Sequence, residues 1–182
     1  RSLRKLFLFG GVSTWMHQYI NEMKEHEFVL WVIGANAKDK GKFVYELPKN
    51  VVEVHEVFLD DALRLKDSGK MLHAFTEEET NSLKELMLCR RPNWEILFRL
   101  YHDQKLNPMS FLRSEEFLNI LTECCIKDYP YTPFADAFHT MRSMLLPVLY
   151  LMGSEVPKAD VYHAICTGYG GLLACLGGYV YK

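Results

Sequence analysis

The sequence lacks any continuous apolar run of the roughly 18 residues that a membrane-spanning helix needs. It also lacks a net field, because 23 acidic and 21 basic residues nearly cancel. The first absence argues against a helical span. The second excludes broad attraction to nucleic acid or anionic lipid and leaves room only for local basic patches. No secretory leader is read at the start. The five cysteines, Cys89, Cys124, Cys125, Cys166 and Cys175, form no C-x-x-C pair, and the histidines lack ligand spacing. Neither a disulfide framework nor a zinc site is expected. A reduced, cytoplasmic protein with buried thiols fits this usage, since Cys124 and Cys125 stand in an apolar helical stretch. Several catalytic signatures are missing too. There is no G-x-G-x-x-G with a following acidic residue, no P-loop lysine, no G-x-S-x-G elbow and no H-E-x-x-H. These gaps remove a nicotinamide cofactor and leave hydrolases without positive support.

What is present suits one ordinary domain, or one domain carrying a large insertion: 182 residues, 49% of them hydrophobic. Leu3 to Phe9 reads as a short strand that runs into Gly10-Gly11. Val12, Trp15, Met16, Tyr19, Ile20 and Met23 then fall at helical spacing on one face. Phe28 to Ile33 is apolar without alternation, the pattern of a strand buried on both faces of a parallel sheet. Val51 to Val57 is β-branched with partial alternation, so it reads as a strand with one wetter face.

After Leu59 the signals become helical. Thr76 and Glu79 make a capping box ahead of Leu83 and Met87. Pro92 stands near the start of a second helix, Ser114 caps a third, and Thr132-Pro133 opens a long fourth. Pro147 predicts a kink or break in that last helix. The interval 60–153 is therefore expected to be helical. Val161 to Ile165 returns to strand, and Gly168 to Gly171 turns into a final helix near Leu172. This order predicts an α/β fold with a parallel sheet of about four or more strands and a large helical insertion.

Ligands of open parallel sheets bind beyond the carboxyl ends of the strands, and two glycine-rich stretches are read at such ends. In Gly10-Gly11-Val12-Ser13, paired glycines permit close backbone approach and the helix start offers unpaired N–H groups. Ser13 and His17, four apart, share a face. The plainer alternative is a tight turn with Ser13 as N-cap. In the second stretch His163 lies in the expected strand, with Thr167, Gly168 and Tyr169 at its exit. A packed histidine and a catalyst are both consistent with His163 here. Glu77-Glu78-Glu79 reads as a helix first turn opposite the dipole, and Arg90-Arg91 either solvates a helix end or meets a phosphate. Tyr129-Pro130-Tyr131-Thr132-Pro133 reads as a rigid connector, with sugar stacking as the alternative.

Taken together, these stretches resemble one family. Gly10 to Gln18 (G-G-V-S-T-W-M-H-Q) resembles the G-G-V-S-S/T-W-x-H-Q signature of PelF-type glycosyltransferases, retaining GT-B enzymes of the family 4 kind. Tyr45 to Val52 resembles that family's Y-E-L-P-x-N-V-V segment, continued by His55-Glu56-Val57. Asp160 to Leu173 resembles D-V-V-H-A-x-S-T-G-Y-A-G-L-L. Two departures stand out. The acidic-Gly-Thr-Tyr-Pro segment that precedes the G-G turn in the family is missing, and the family continues past the position of Lys182 into a second domain.

The resemblance implies an N-terminal, acceptor-side Rossmann-like domain of a GT-B fold, spanning 1–182. It implies transfer from a nucleotide diphosphate sugar, UDP-linked, in exopolysaccharide synthesis, with no cofactor and no metal. Gly10, Gly11, Val12, Ser13, His17, Thr167, Gly168 and Tyr169 would face substrate or phosphate, and His163 would support that loop. The implied partners are a C-terminal donor-binding domain of the same protein, a sugar or polysaccharide acceptor and membrane polysaccharide-export proteins at the inner membrane face. The domain alone is expected to be inactive. Against this stands an alternative, a nonenzymatic α/β ligand-binding or protein-interaction module.

Overall fold

The computed structural model describes residues 5–6, 11–43, 45–66 and 73–182. The chain divides into two compact units. One combines residues 1–61 with 156–181 and holds the strands; the other spans 62–155. The fold is α/β.

In the sheet unit, β1 (Lys5–Leu6) leads to α1 (Gly11–Glu22), followed by β2 (Phe28–Gly34), β3 (Tyr45–Glu46) and β4 (Val51–Phe58). β2 and β4 pair in parallel from Phe28↔Val51 to Gly34↔Phe58, with a bulge after Phe28. Helix α1 precedes β2 in the chain. Its C-terminal end is tied to β4 by one side chain, because Asn50 Nδ2 donates to the carbonyls of Ile20 (2.9 Å), Met23 (3.0 Å) and His26 (3.2 Å). Carbonyls at a helix end have no intrahelical donor, so this amide stands in for the missing turn. Opposite Gly34 the Phe58 ring lies so close that a Cβ would meet it at 2.6 Å.

Among the described residues the parallel sheet has two strands, and β1 pairs antiparallel with β3. Two other sheet expectations need correction. The β2 side chains are half-buried throughout, not sealed on both faces, as befits a two-stranded sheet with little to cover it. The segment 158–166 is not a strand. It keeps a strand's in–out alternation, with Tyr162 and Ala164 more buried than Val161, His163 and Ile165, but forms no ladder among the described residues. Instead, the Tyr162 hydroxyl donates to the Pro157 carbonyl at 2.7 Å and its ring lies on Gly177. β-propensity is realised only where a pleated partner exists.

The second unit holds α2 (Glu77–Met87), α3 (Trp94–Phe98), α4 (Pro108–Phe111), α5 (Glu115–Lys127) and α6 (Phe134–Met152), with no strand among its described residues. Caps set the boundaries. Thr76 Oγ1 accepts from the Glu79 N–H while Glu79 Oε2 accepts from the Thr76 N–H at 3.0 Å. Asn93, Asn107 and Ser114 cap α3, α4 and α5. A π-helical turn, Arg99–Asp103, continues α3. Along the core, Phe75, Phe111, Phe117 and Phe138 form a chain of rings 5.6–5.8 Å apart. Of the kink or break expected at Pro147 there is no break, since α6 runs continuously through it. The carbonyl left without its N–H partner belongs to exposed Ser143, which water reaches, and Leu145, Leu146 and Leu149 bury the other side.

The cysteines are also less buried than expected. Cys124 is sealed, Cys125 is half-buried, and Cys89, Cys166 and Cys175 are exposed free thiols. No helix among the described residues is long and apolar enough to cross a membrane.

Candidate functional site

The candidate site lies wholly in the sheet unit and is built from α1, the segment 156–168 and α7 (Tyr169–Val180). Gly10 lies outside the described residues. Gly11, Val12 and Ser13 form the first turn of α1, so the N–H groups of that turn are those a helix leaves without internal acceptors. No acidic residue stands in this turn to occupy them.

One turn further on, His17 is a brace. Its Nε2 lies 3.1 Å from the Glu46 carbonyl, a contact that requires the proton on Nε2. Nδ1 then accepts from Asn21 Nδ2 at 3.3 Å, and the same amide donates to the His17 carbonyl at 2.8 Å. This fixes one tautomer and ties α1 to β3. The segment after β2 is held in a similar way. The Ala37 N–H donates to Asp60 Oδ1 at 2.8 Å, and the Gly41 N–H, at φ +72°, donates to Glu56 Oε1 at 3.0 Å.

His163, 146 residues after His17 in sequence, meets the same helix. Its ring stands edge-on to Tyr19 with centroids 5.8 Å apart. This contact sets His163 against the helix that follows the first glycine-rich stretch, although His163 comes from an irregular, exposed segment and not from the expected strand. Thr167 is exposed, Gly168 precedes α7 as its cap residue, and Tyr169 opens the helix.

The glycines here differ in what they do. A Cβ on Gly177 would meet the Tyr162 ring at 2.5 Å, and one on Gly170 would meet Cys166 Sγ at 3.3 Å. Glycines of α7 are thus packed against by the preceding segment of chain. Gly168 has open space where a side chain would go, so internal packing does not demand glycine there. That leaves an accessible backbone at the start of α7.

Two residues of the site were read only as part of an apolar stripe. Trp15 and Tyr19 stack, with centroids 5.2 Å apart and planes 17° from parallel, and Trp15 remains exposed while Met16 and Ile20 are buried. Their four-residue spacing at the edge of the stripe was the available signal. Among the described residues no group of three His, Cys, Asp or Glu side chains is placed to hold a metal ion. The site offers hydrogen-bond donors, backbone N–H groups and aromatic surface.

Residues 7–182 match a family described as a domain of unknown function, DUF3492. No curated protein and no solved structure matches the chain.

Proposed function

The chain belongs to the DUF3492 family, and on that premise we propose that it is the acceptor-side domain of a retaining glycosyltransferase of the PelF-type GT-B kind. In this reading a sugar passes from a nucleotide diphosphate, UDP-linked, to a growing exopolysaccharide, and a second domain of the same protein holds the nucleotide. The carrying observation is the Tyr19–His163 contact. It sets His163, within one stretch that resembles the family, against Tyr19, the residue that follows another such stretch far away along the chain.

Departure of the diphosphate leaves an oxocarbenium-like carbon and developing negative charge on the leaving oxygens. Fixed donors aimed at that charge lower the barrier by several kcal/mol, on the order of 3 for a single donor. Gly10, Gly11, Val12 and Ser13 would supply backbone N–H groups at the start of α1, a natural anion site. Thr167, Gly168 and Tyr169 would shape the acceptor side. His17, braced against Glu46, would hold the turn's helix in place, and His163 would support the second loop. The Rossmann-like sheet of four or more strands and the action at the inner membrane face with export proteins belong to this proposal.

The test is a Gly11→Val change in the intact protein, with UDP-sugar turnover and thermal melting measured together. A β-branched side chain at the turn obstructs close approach, and a misplacement of about 1 Å costs on the order of a hundredfold in rate. The proposal expects loss of turnover with the fold retained. Near-normal turnover in a well-folded variant would reduce the turn to a structural role.

One observation favours the rival reading of an interaction module. In the helical unit Tyr131 is 98% exposed in the turn before α6, beside exposed Tyr129 and Phe134. Transfer activity in the intact protein separates the two readings.

A further inference from the structure

Helix α1 presents an aromatic wall to which the proposed transfer assigns no role. Trp15 and Tyr19, four residues apart, lie on one helix face and stack nearly parallel. Tyr19 is held edge-on by Phe28 at 6.1 Å and by His163 at 5.8 Å. The indole is thereby oriented, yet Trp15 stays 47% exposed. At the edge of the wall the His163 imidazole is exposed and makes no hydrogen bond among the described residues. Helix α1 contains no Lys or Arg, and its one acidic residue is Glu22 at the far end.

We propose that this wall is the platform for a pyranose ring of the acceptor glycan. Trp15 stacks on the apolar face of the sugar and His163 hydrogen-bonds a rim hydroxyl. The inference rests on the transferase reading of the same site and adds the chemistry of the acceptor and the residues that position it. A pyranose carries C–H groups on its face and hydroxyls around its rim. The electron-rich face of an indole attracts such C–H groups, and a neutral imidazole both donates to and accepts from hydroxyls. Beyond its first turn α1 carries no Lys or Arg to pair with a phosphate, so the wall itself suits a neutral polyhydroxylated ligand. Because the stack already fixes the indole, little side-chain freedom is lost on binding.

The experiment titrates the intact protein, without nucleotide, with cellotetraose, maltotetraose and chitotetraose, and separately with uridine. Binding is followed by calorimetry and tryptophan fluorescence. At least one tetrasaccharide is expected to bind and perturb the fluorescence. Trp15→Ala should weaken that binding by about tenfold or more, which is about 1.4 kcal/mol, and His163→Ala should weaken it several-fold. Trp15→Phe should retain most of it, and Trp94→Ala should leave it unchanged. Melting temperatures of all variants separate lost binding from lost folding.

No tetrasaccharide binding at millimolar concentration overturns the proposal. So does binding unaffected by Trp15→Ala, or a Trp15 dependence seen for uridine instead. The transferase reading is judged apart, by donor turnover. Normal transfer by Trp15→Ala sinks the platform and spares the reading, whereas Trp15-dependent glycan binding without any transfer does the reverse.

Discussion

In the helical unit Leu83, Leu97, Leu100, Phe111, Phe117, Leu121 and Leu149 are closed to solvent, whereas among the described residues of the sheet unit only Ile20 and Leu176 reach that state. The half-buried strands, the exposed segment around Val161 and the uncovered Trp15 all belong to the sheet unit. The more fully closed core thus lies in the helical unit, and the proposed chemistry lies in the sheet unit. Regions with few buried apolar contacts open at low free-energy cost and are where ligand-binding elements are commonly found. The helical unit can be understood as packing; the sheet unit has surface to offer.

The largest effect expected from this contrast is in the helical unit. Phe117 is fully buried between Phe111 and Phe138, so Phe117→Ala removes the middle of the ring chain. A loss of about 3–5 kcal/mol is expected, read from denaturant unfolding of the chain. A loss below about 1 kcal/mol would mean that this core is not the stable frame.

In the sheet unit the sharpest packing constraint is Gly34. An added Cβ meets the Phe58 ring at 2.6 Å, and Phe58 is itself buried, so the ring has little room to give. Gly34→Ala is expected to cost about 1–3 kcal/mol. Tolerance of that change without loss would show the sheet to be looser than its contacts suggest.

Tyr101 tests the helical core from the other direction. Its ring is buried in the π-helical turn and its hydroxyl has no protein partner among the described residues. Burial also pushes the phenol well above its usual pKa. Removing an uncompensated hydroxyl while keeping the ring should help, so Tyr101→Phe is expected to raise stability by about 1 kcal/mol. A lower melting temperature would mean that the hydroxyl has a partner, such as a buried water.

The smallest expected effect is a slope with pH. Burial alone would raise the Glu79 carboxyl. The Thr76 N–H, His73 at 3.1 Å and Arg99 at 3.4 Å outweigh it and hold the group below the usual carboxylate range. A carboxylate depressed in the folded state contributes stability above its unfolded pKa, and loses it as pH falls through the folded value. Stability should therefore decline below about pH 4.3, the ordinary glutamate pKa. Glu79→Gln should flatten that decline in acid-titrated melting curves. An unchanged acid limb in the variant would assign the dependence elsewhere.

The two units also differed in how far their structure could be read from sequence. Helices announce themselves locally: the Thr76–Glu79 box, Ser114 and the apolar spacing from Leu83 to Met87 and along 134–152 all reappear in the structure. The exception, an unbroken helix at Pro147, turned on which side of the helix the freed carbonyl faced. Strands depend on partners distant in sequence, so Val161 to Ile165 carried a strand's composition without a strand's ladder. In the candidate site, the contact of Tyr19 with His163 and the role of His17 as a brace to β3 depended on tertiary contacts that no spacing encodes. Asn50, which closes the end of α1, had no local signature either. Trp15 was visible only as one apolar position among six.

The most direct test of the central claim compares the intact protein with residues 1–182 alone, each given a UDP-sugar and an oligosaccharide acceptor, with the anomeric configuration of the product read by NMR. The account predicts transfer with retention by the intact protein and neither transfer nor donor hydrolysis by residues 1–182 alone, because the proposal assigns the nucleotide to a second domain. Turnover by the isolated chain, inversion at the anomeric carbon, or an intact protein inert toward every nucleotide sugar would contradict it.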